Sequence, residues 1–263
     1  FQIMLTFIGL GLYDERSISI AGRDALQAAD YVAAEFYTSY LVDATVSDLE
    51  TAHDIDIDVR DREGVEQHPE DILRKAQSED VAFLTAGDTM ISTTHTDLRL
   101  RAIDRGIDTR VIHGVTAQTA ASGLTGLQNY RFGKSVTLPF PYAHGAEGVP
   151  TSVTDSIAAN RERGLHTVVY LDIKADRDEY LRASDAAEML ARDLEDMLAV
   201  VVARAGSPDP TVRADRLSAL AEKDFGDPLH LLVLPGELHH LEEEALAALA
   251  DAPADMLNAV DSQ

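Results

Sequence analysis

Short apolar runs alternate with stretches of helical spacing along the whole chain. Runs of strand type cover residues 4–8, 31–36, 55–59, 81–85, 110–113, 136–140, 167–173, 198–203 and 230–234. Helical spacing covers 18–29, 47–52, 69–77, 118–127, 151–163, 184–197, 212–222 and 240–249. Such alternation means βαβ units and largely parallel sheets. The predicted fold class is α/β, with two α/β domains built mainly on parallel sheets. The polar stretch 129–134 contains Gly133 and sets the expected boundary, giving domains 1–134 and 135–263. One junction lacks a turn: the helical pattern running to Met197 meets the buried strand starting at Leu198 with no spacer. Connections of two to six residues are usual there, so a loop is expected to be missing between Met197 and Leu198.

The pattern turns on residues 80–101. The apolar run 81–85 breaks at Ala86-Gly87-Asp88, and a hydroxyl-rich segment leads toward a helix containing Leu98 and Ile103. Strand, glycine turn, acid and helix form a ligand-binding corner in open α/β sheets. Gly87 lets backbone approach a ligand without a Cβ in the way. Asp88 supplies an acceptor, although an Asx turn would use the same residues.

Composition narrows the function classes. The 263 residues carry 46 acidic and 22 basic side chains, a net charge of −24. The acids are dispersed, which reads as a coat for concentrated salt, where self-repulsion is screened. That coat argues against nucleic-acid binding, which needs a basic surface. There is no cysteine, so disulfides, thiolate catalysis and thiolate metal sites are excluded. The apolar runs are too short for a membrane span, and a cytoplasmic location fits. Phe1-Gln2-Ile3 read as a leftover ahead of a native start at Met4.

Several motifs carry candidate chemistry. Gly9-Leu10-Gly11 after a strand suggests a dinucleotide fingerprint with Glu35 as the ribose acid, but Asp14 stands where the third glycine belongs. His239-His240 precede Glu242, Glu243 and Glu244. Leu238, Leu241, Ala245 and Leu246 define the expected buried face, leaving the acids solvated and a metal site unsupported. His95, three residues after Ser92, has no obvious carboxylate orienter and no serine in an elbow motif, so a hydrolase triad is poorly supported. His166 and His230 begin strands and read as core or rim residues. Arg204 and Ser207 flank Gly206 at a strand end.

Phe7-Ile8-Gly9-Leu10-Gly11-Leu12-Tyr13-Asp14-Glu15-Arg16 resembles the first motif of the diphthine synthase family. The resemblance extends through Ala34-Glu35-Phe36-Tyr37-Thr38-Ser39, Val81 to Asp88 with Thr93-Thr94-His95, and Leu171-Asp172-Ile173-Lys174-Ala175. It continues in Ala203-Arg204-Ala205-Gly206-Ser207 and in Asp224-Phe225-Gly226-Asp227-Pro228 followed by His230. Thr89 departs from it, where a proline is usual. The family belongs to the tetrapyrrole-methylase-like superfamily.

The resemblance implies S-adenosylmethionine (SAM) in a cleft between two α/β domains, a homodimer, and translation elongation factor 2 as protein substrate. The reaction it implies is methylation of the amine of that factor's modified histidine during diphthamide biosynthesis. The cofactor contacts it implies are Leu12, Asp88, Ile91, Thr116, Ala117, Leu171, Ala205 and His230. Asp88 is expected on the cleft rim, meeting ribose hydroxyls or the ammonium and supporting no core packing. No catalytic residue is carried over. Glu35, Tyr37 and Asp14 are candidate bases, and Tyr13, Phe36, Tyr37 and Tyr40 are candidate faces for a cationic product. An NAD-linked oxidoreductase and a non-catalytic nucleotide-binding protein are the alternatives.

Overall fold

The structure, a computed structural model, describes residues 3–143 and 148–257. Internal contacts divide the chain into Phe1–Thr116 with Ala175–Arg177, and Ala117–Lys174 with Asp178–Gln263.

The first unit runs β1 (Leu5–Gly9), α1 (Ile20–Ala28), β2 (Tyr31–Glu35), α2 (Val46–His53), β3 (Asp58–Val59), α3 (Glu70–Lys75), β4 (Val81–Thr85), α4 (Thr96–Asp104) and β5 (Thr109–Ile112). Its strands form one parallel sheet in the order β3-β2-β4-β1-β5. Both faces are covered. Leu5, Phe7, Val81 and Phe83 pack with Ile72, Leu73, Leu98 and Ala102. Ile8, Val32, Ala82 and Leu84 pack with Leu26 and Leu49 on the other side. Burial on both faces is why β1 and β4 read as unbroken apolar runs. The chain leaves β1 toward β2 on one side and leaves β4 toward β5 on the other. The carboxyl ends of β1 and β4 therefore flank the switch point where ligands bind in such sheets.

The second unit runs α5 (Ala117–Thr125), β6 (Val136–Leu138), α6 (Thr151–Arg161), β7 (Thr167–Leu171), β8 (Ile173–Lys174), β9 (Glu179–Tyr180), α7 (Ala183–Asp193), β10 (Leu198–Ala203), β11 (Thr211–Arg216), α8 (Leu217–Ala221), β12 (His230–Leu234), α9 (His240–Ala250) and α10 (Ala254–Leu257). Its main sheet is ordered β11-β10-β12-β7-β6. Here the expectation of mainly parallel pairing is corrected. Only β6–β7 is parallel, while β7–β12, β12–β10 and β10–β11 are antiparallel. The periodicity of a strand does not encode its direction. The helix expected over 212–222 is β11 followed by the short α8. Ala214 is fully buried, whereas its neighbours Arg213 and Asp215 are not. That is the two-residue alternation of a strand.

The boundary also shifts, from the expected 134 to 116–117. The α5 segment belongs with the second sheet because Ala121 and Leu127 pack against Val200, Val202 and Leu231. No loop is needed before Leu198. Helix α7 stops at Asp193, and Leu194 to Met197 make the connection, with Leu217 N–H donating to Met197 O at 3.0 Å.

The face of α9 is rotated from the expected one. Leu241 is 53% exposed, while Glu242 is fully buried in line with Leu246 and Ala250. Glu242 is therefore not solvated. Its carboxylate accepts from Gln128 N–H (2.8 Å), His239 N–H (2.9 Å), Arg131 Nη1 (3.3 Å) and His166 Nε2 (3.0 Å). Gly236 N–H donates to His166 Nδ1, which fixes the proton of that ring on Nε2. His166 and His230 are buried, at 0% and 8% exposed, in keeping with the reading of strand-start histidines.

Candidate functional site

The carboxyl ends of β1, β4 and β5 meet backbone to backbone. A Cβ on Gly9 would lie 2.5 Å from Gly87 O and 2.5 Å from Gly114 N. A Cβ on Gly114 would lie 2.1 Å from Gly87 O. Gly11 and Gly87 pair across the gap, with Gly87 N–H donating to Gly11 O at 2.6 Å and Gly11 N–H to Gly87 O at 3.2 Å. Gly87 has φ +73°, a conformation that side chains other than glycine rarely adopt. The glycines of Gly9-Leu10-Gly11 thus serve close packing of three loops, and Gly11 spends its N–H on Gly87 O. Such packing leaves little of a dinucleotide fingerprint.

Asp88 follows Gly87 and is 4% exposed. Its Oδ1 accepts from Met90 N–H (2.8 Å), and its Oδ2 accepts from Gly114 N–H (3.2 Å) and His113 Nδ1 (2.7 Å). The carboxylate therefore joins the loops after β4 and β5. This corrects the picture of a bare rim acid without a structural role. Around it, Ile91 and Val115 are 45% and 55% exposed, an apolar surface beside a fixed carboxylate. Leu12 and Thr116 are half-buried on the loops after β1 and β5. The first unit so brings together the loops carrying Leu12, Asp88, Ile91 and Thr116.

The remaining candidates lie in the second unit. Ala117 opens α5, Leu171 ends β7, Ala205 follows β10 and His230 opens β12. Pairing of Ala203 with His230 puts the end of β10 beside the start of β12. His230 is held from both ring nitrogens: Ala183 N–H donates to Nδ1 (3.2 Å), and Nε2 donates to Asp227 O (3.0 Å). Burial lowers its pKa, so the ring stays neutral. Arg204 staples the same corner, donating to Phe225 O (2.7 Å), Asp227 O (3.0 Å) and Thr211 Oγ1 (2.8 Å).

The candidate bases are not presented to solvent. Asp14 is stapled within its own turn, accepting from Arg16 Nε and N–H and from Ser17 Oγ. Burial acts to raise its pKa, but those bonds outweigh it and the pKa falls. Glu35 is fully buried and burial raises its pKa. The Tyr37 hydroxyl is buried, and burial raises its pKa strongly. Phe36 and Tyr37 pack into opposite cores of the first sheet, and Arg62 lies over the Tyr37 ring at 4.8 Å. Of the aromatic candidates, Tyr13 and Tyr40 remain outside those cores. His95 does have a carboxylate neighbour, Glu35, at 3.4 Å. Sixty positions of sequence separation hid that pairing, although strand register aligns Glu35 with Thr85 just ahead of the His95 loop.

A parallel sheet ending in a glycine-packed corner, with a fixed carboxylate and apolar surroundings, is the setting of a small-molecule binding site. The chain belongs to the tetrapyrrole (corrin/porphyrin) methylases, whose family model matches residues 4–221. It is a methyltransferase. Within that family its relatives are diphthine synthases. It is 98% identical over 260 residues to the diphthine synthase of Haloquadratum walsbyi, covering 99% of this chain and 100% of the relative. It is 68% identical over 260 residues to that of Halobacterium salinarum, covering 97% and 100%. A crystal structure of diphthine synthase superposes with a TM-score of 0.89 at 38% identity, covering 97% of this chain and 98% of that one. These halophile relatives agree with the reading of the acidic coat.

Proposed function

We propose that this methyltransferase uses SAM to methylate the amine of the modified histidine of translation elongation factor 2, a step of diphthamide biosynthesis. The carrying observation is the Asp88 corner, set at the sheet's switch point in a chain 98% identical to a diphthine synthase. The surroundings of Asp88 fit SAM in chemical type. Exposed Ile91 and Val115 suit an adenine or methionyl chain, and the carboxylate suits a hydroxyl or ammonium. We read Leu12, Asp88, Ile91, Thr116, Ala117, Leu171, Ala205 and His230 as the cofactor contacts. We read the chain as a homodimer on the family resemblance, and its location as cytoplasmic on the lack of cysteine. Among the described residues no helix is long and apolar enough to cross a membrane.

When bound, SAM would supply a sulfonium methyl group for in-line attack by an amine, the N–C bond forming as the S–C bond breaks and the neutral thioether leaves. Positive charge moves from sulfur to nitrogen, so a fixed anion at sulfur would stabilise the ground state as well and add little rate. The useful contribution of the protein is alignment and exclusion of water, with proximity worth about 7–11 kcal/mol in favourable cases. The amine must arrive neutral. Glu35, Asp14 and the Tyr37 hydroxyl are engaged or buried, so no side chain is assigned as the general base.

Asp88→Ala is expected to weaken SAM binding by roughly one to two decades, the worth of a charge-assisted bond. It is also expected to lower stability by about 1–3 kcal/mol, because Met90 and Gly114 lose their acceptor. Asp88→Asn should lose less if SAM presents a hydroxyl there, and nearly as much as Ala if it presents the ammonium. Calorimetric titration of SAM and NAD into the three proteins, with thermal melts in their absence, separates the two effects. Wild-type SAM affinity in folded Asp88→Ala would remove Asp88 from the site, and tight NAD binding would favour the oxidoreductase.

A further inference from the structure

Beneath the Asp88 loop lies a buried group of polar side chains that methyl transfer does not use. Glu35 ends β2 at 0% exposure and His95 precedes α4 at 1%. Glu35 Oε1, His95 Nε2, Tyr37 Oη and Thr89 Oγ1 are buried without hydrogen-bond partners. Buried polar atoms are rarely left unsatisfied, and each exception needs an explanation.

The imidazole geometry supplies one. His95 Nδ1 lies 3.0 Å from Thr89 O. A carbonyl can only accept, so Nδ1 carries a hydrogen. In a neutral ring Nε2 then carries a lone pair. That lone pair faces Glu35 Oε1 at 3.4 Å. Two acceptors facing each other at that separation repel, so one of the two groups must hold a proton between them. Glu35 Oε2 already accepts from Thr38 N–H at 3.0 Å, which leaves Oε1 as the protonation site.

We propose that Glu35 is retained as a neutral carboxylic acid that donates to Nε2 of His95, and that this buried bond positions the loop presenting Asp88. The positioning half rests on the reading of Asp88 as a cofactor contact. The coupling is short: His95 fixes the carbonyl of Thr89, the residue directly after Asp88, and the Met90 N–H held by Asp88 comes next. Burial raises the pKa of Glu35 and lowers that of His95, and both directions favour the neutral pair. The charged groups facing the pair are few. Hydrogen bonds from Thr38 and Tyr37, and then Arg62, favour the Glu35 carboxylate, and the Thr89 carbonyl and Glu66 favour a charged His95, but burial outweighs them. Tyr37 faces Glu35 and stays a neutral phenol. Glu66 and Asp97 line a depression beside His95, with Thr94 Oγ1 donating to Glu66 Oε1. Thr85 and the edge-on ring of Phe83 complete the surroundings.

The test uses the full chain near neutral pH. Infrared difference spectra of wild type against Glu35→Gln should show a protonated-carboxyl band that the variant lacks. Nitrogen-15 spectra should place the single ring proton of His95 on Nδ1. Glu35→Gln, whose amide donates in place of the acid, should keep SAM affinity within about twofold, whereas Glu35→Leu should weaken it roughly tenfold. A raised folded pKa gives stability that is present below the unfolded value and is lost as pH rises toward the folded one. Glu35→Gln should therefore gain in melting temperature over wild type as pH is raised above the ordinary carboxyl range. Absence of the band, or a doubly protonated His95, overturns the neutral pair. Normal SAM affinity in folded Glu35→Leu overturns the positioning role. The spectra need no SAM, so failure of wild type to bind SAM would sink the cofactor reading while the protonation state is still decided.

Discussion

Gly114→Ala is expected to cripple the first unit. A methyl group there would sit 2.1 Å from Gly87 O and 2.8 Å from Gly9 C. Both are backbone atoms of adjoining strand ends, so no side chain can swing aside. Relief requires the ends of β1, β4 and β5 to separate, breaking the Gly11–Gly87 pairing and moving Gly114 N–H off Asp88. Overpacking of this kind costs about 3 kcal/mol or more. Gly123→Ala is the control. That glycine sits inside α5 with nothing within 4 Å of the added carbon, so the change should stabilise by about 0.5–1 kcal/mol. Denaturant melts of the two variants measure the contrast. A Gly114→Ala protein as stable as wild type would mean that the three loops do not pack as described.

Glu242→Ala should be comparably damaging in the second unit. The buried carboxylate receives two backbone N–H groups, His166 and Arg131. Removing it strands a guanidinium that is largely buried. Breaking a buried pair from one side costs about 3–5 kcal/mol, or roughly 10 °C in melting temperature for a unit of this size. The pH dependence follows from the shift of Glu242. Burial acts to raise its pKa, but the bonds from His239, Gln128 and His166 outweigh it and the pKa is lowered. A depressed folded pKa gives stability that is present above the unfolded value and is lost as pH falls through the folded one. Wild type should accordingly lose its advantage over Glu242→Ala as pH drops below the ordinary glutamate range. Parallel melting curves for the two proteins across that range would contradict the network.

Much of this fold was legible because burial and punctuation coincide. The bounds of β4, β10 and β12 match the apolar runs 81–85, 198–203 and 230–234 residue for residue. Each is buried throughout. Strand β11 escaped because it is an edge strand whose alternating positions also suit a helix. Strand direction in the second sheet escaped because pattern carries no arrow. On α9, one apolar residue more or less shifted the inferred face by a step, and Glu242 was misplaced onto the surface. The Asp88 corner was visible as strand, glycine and acid. What sequence could not show is that Asp88 ties two loops together, or that His95 finds Glu35 across the sheet. Those pairings depend on strand order, which brings β2 beside β4 and β4 beside β1.

The most direct measurement is methyl transfer itself. The full chain, kept in concentrated salt, is incubated with methyl-labelled SAM and elongation factor 2 carrying the modified histidine. Label should accumulate on that histidine's side-chain amine, and a factor lacking the modification should remain unlabelled. Asp88→Ala should slow labelling at limiting SAM. A folded chain that binds SAM yet transfers no label to the modified factor would contradict the proposed reaction.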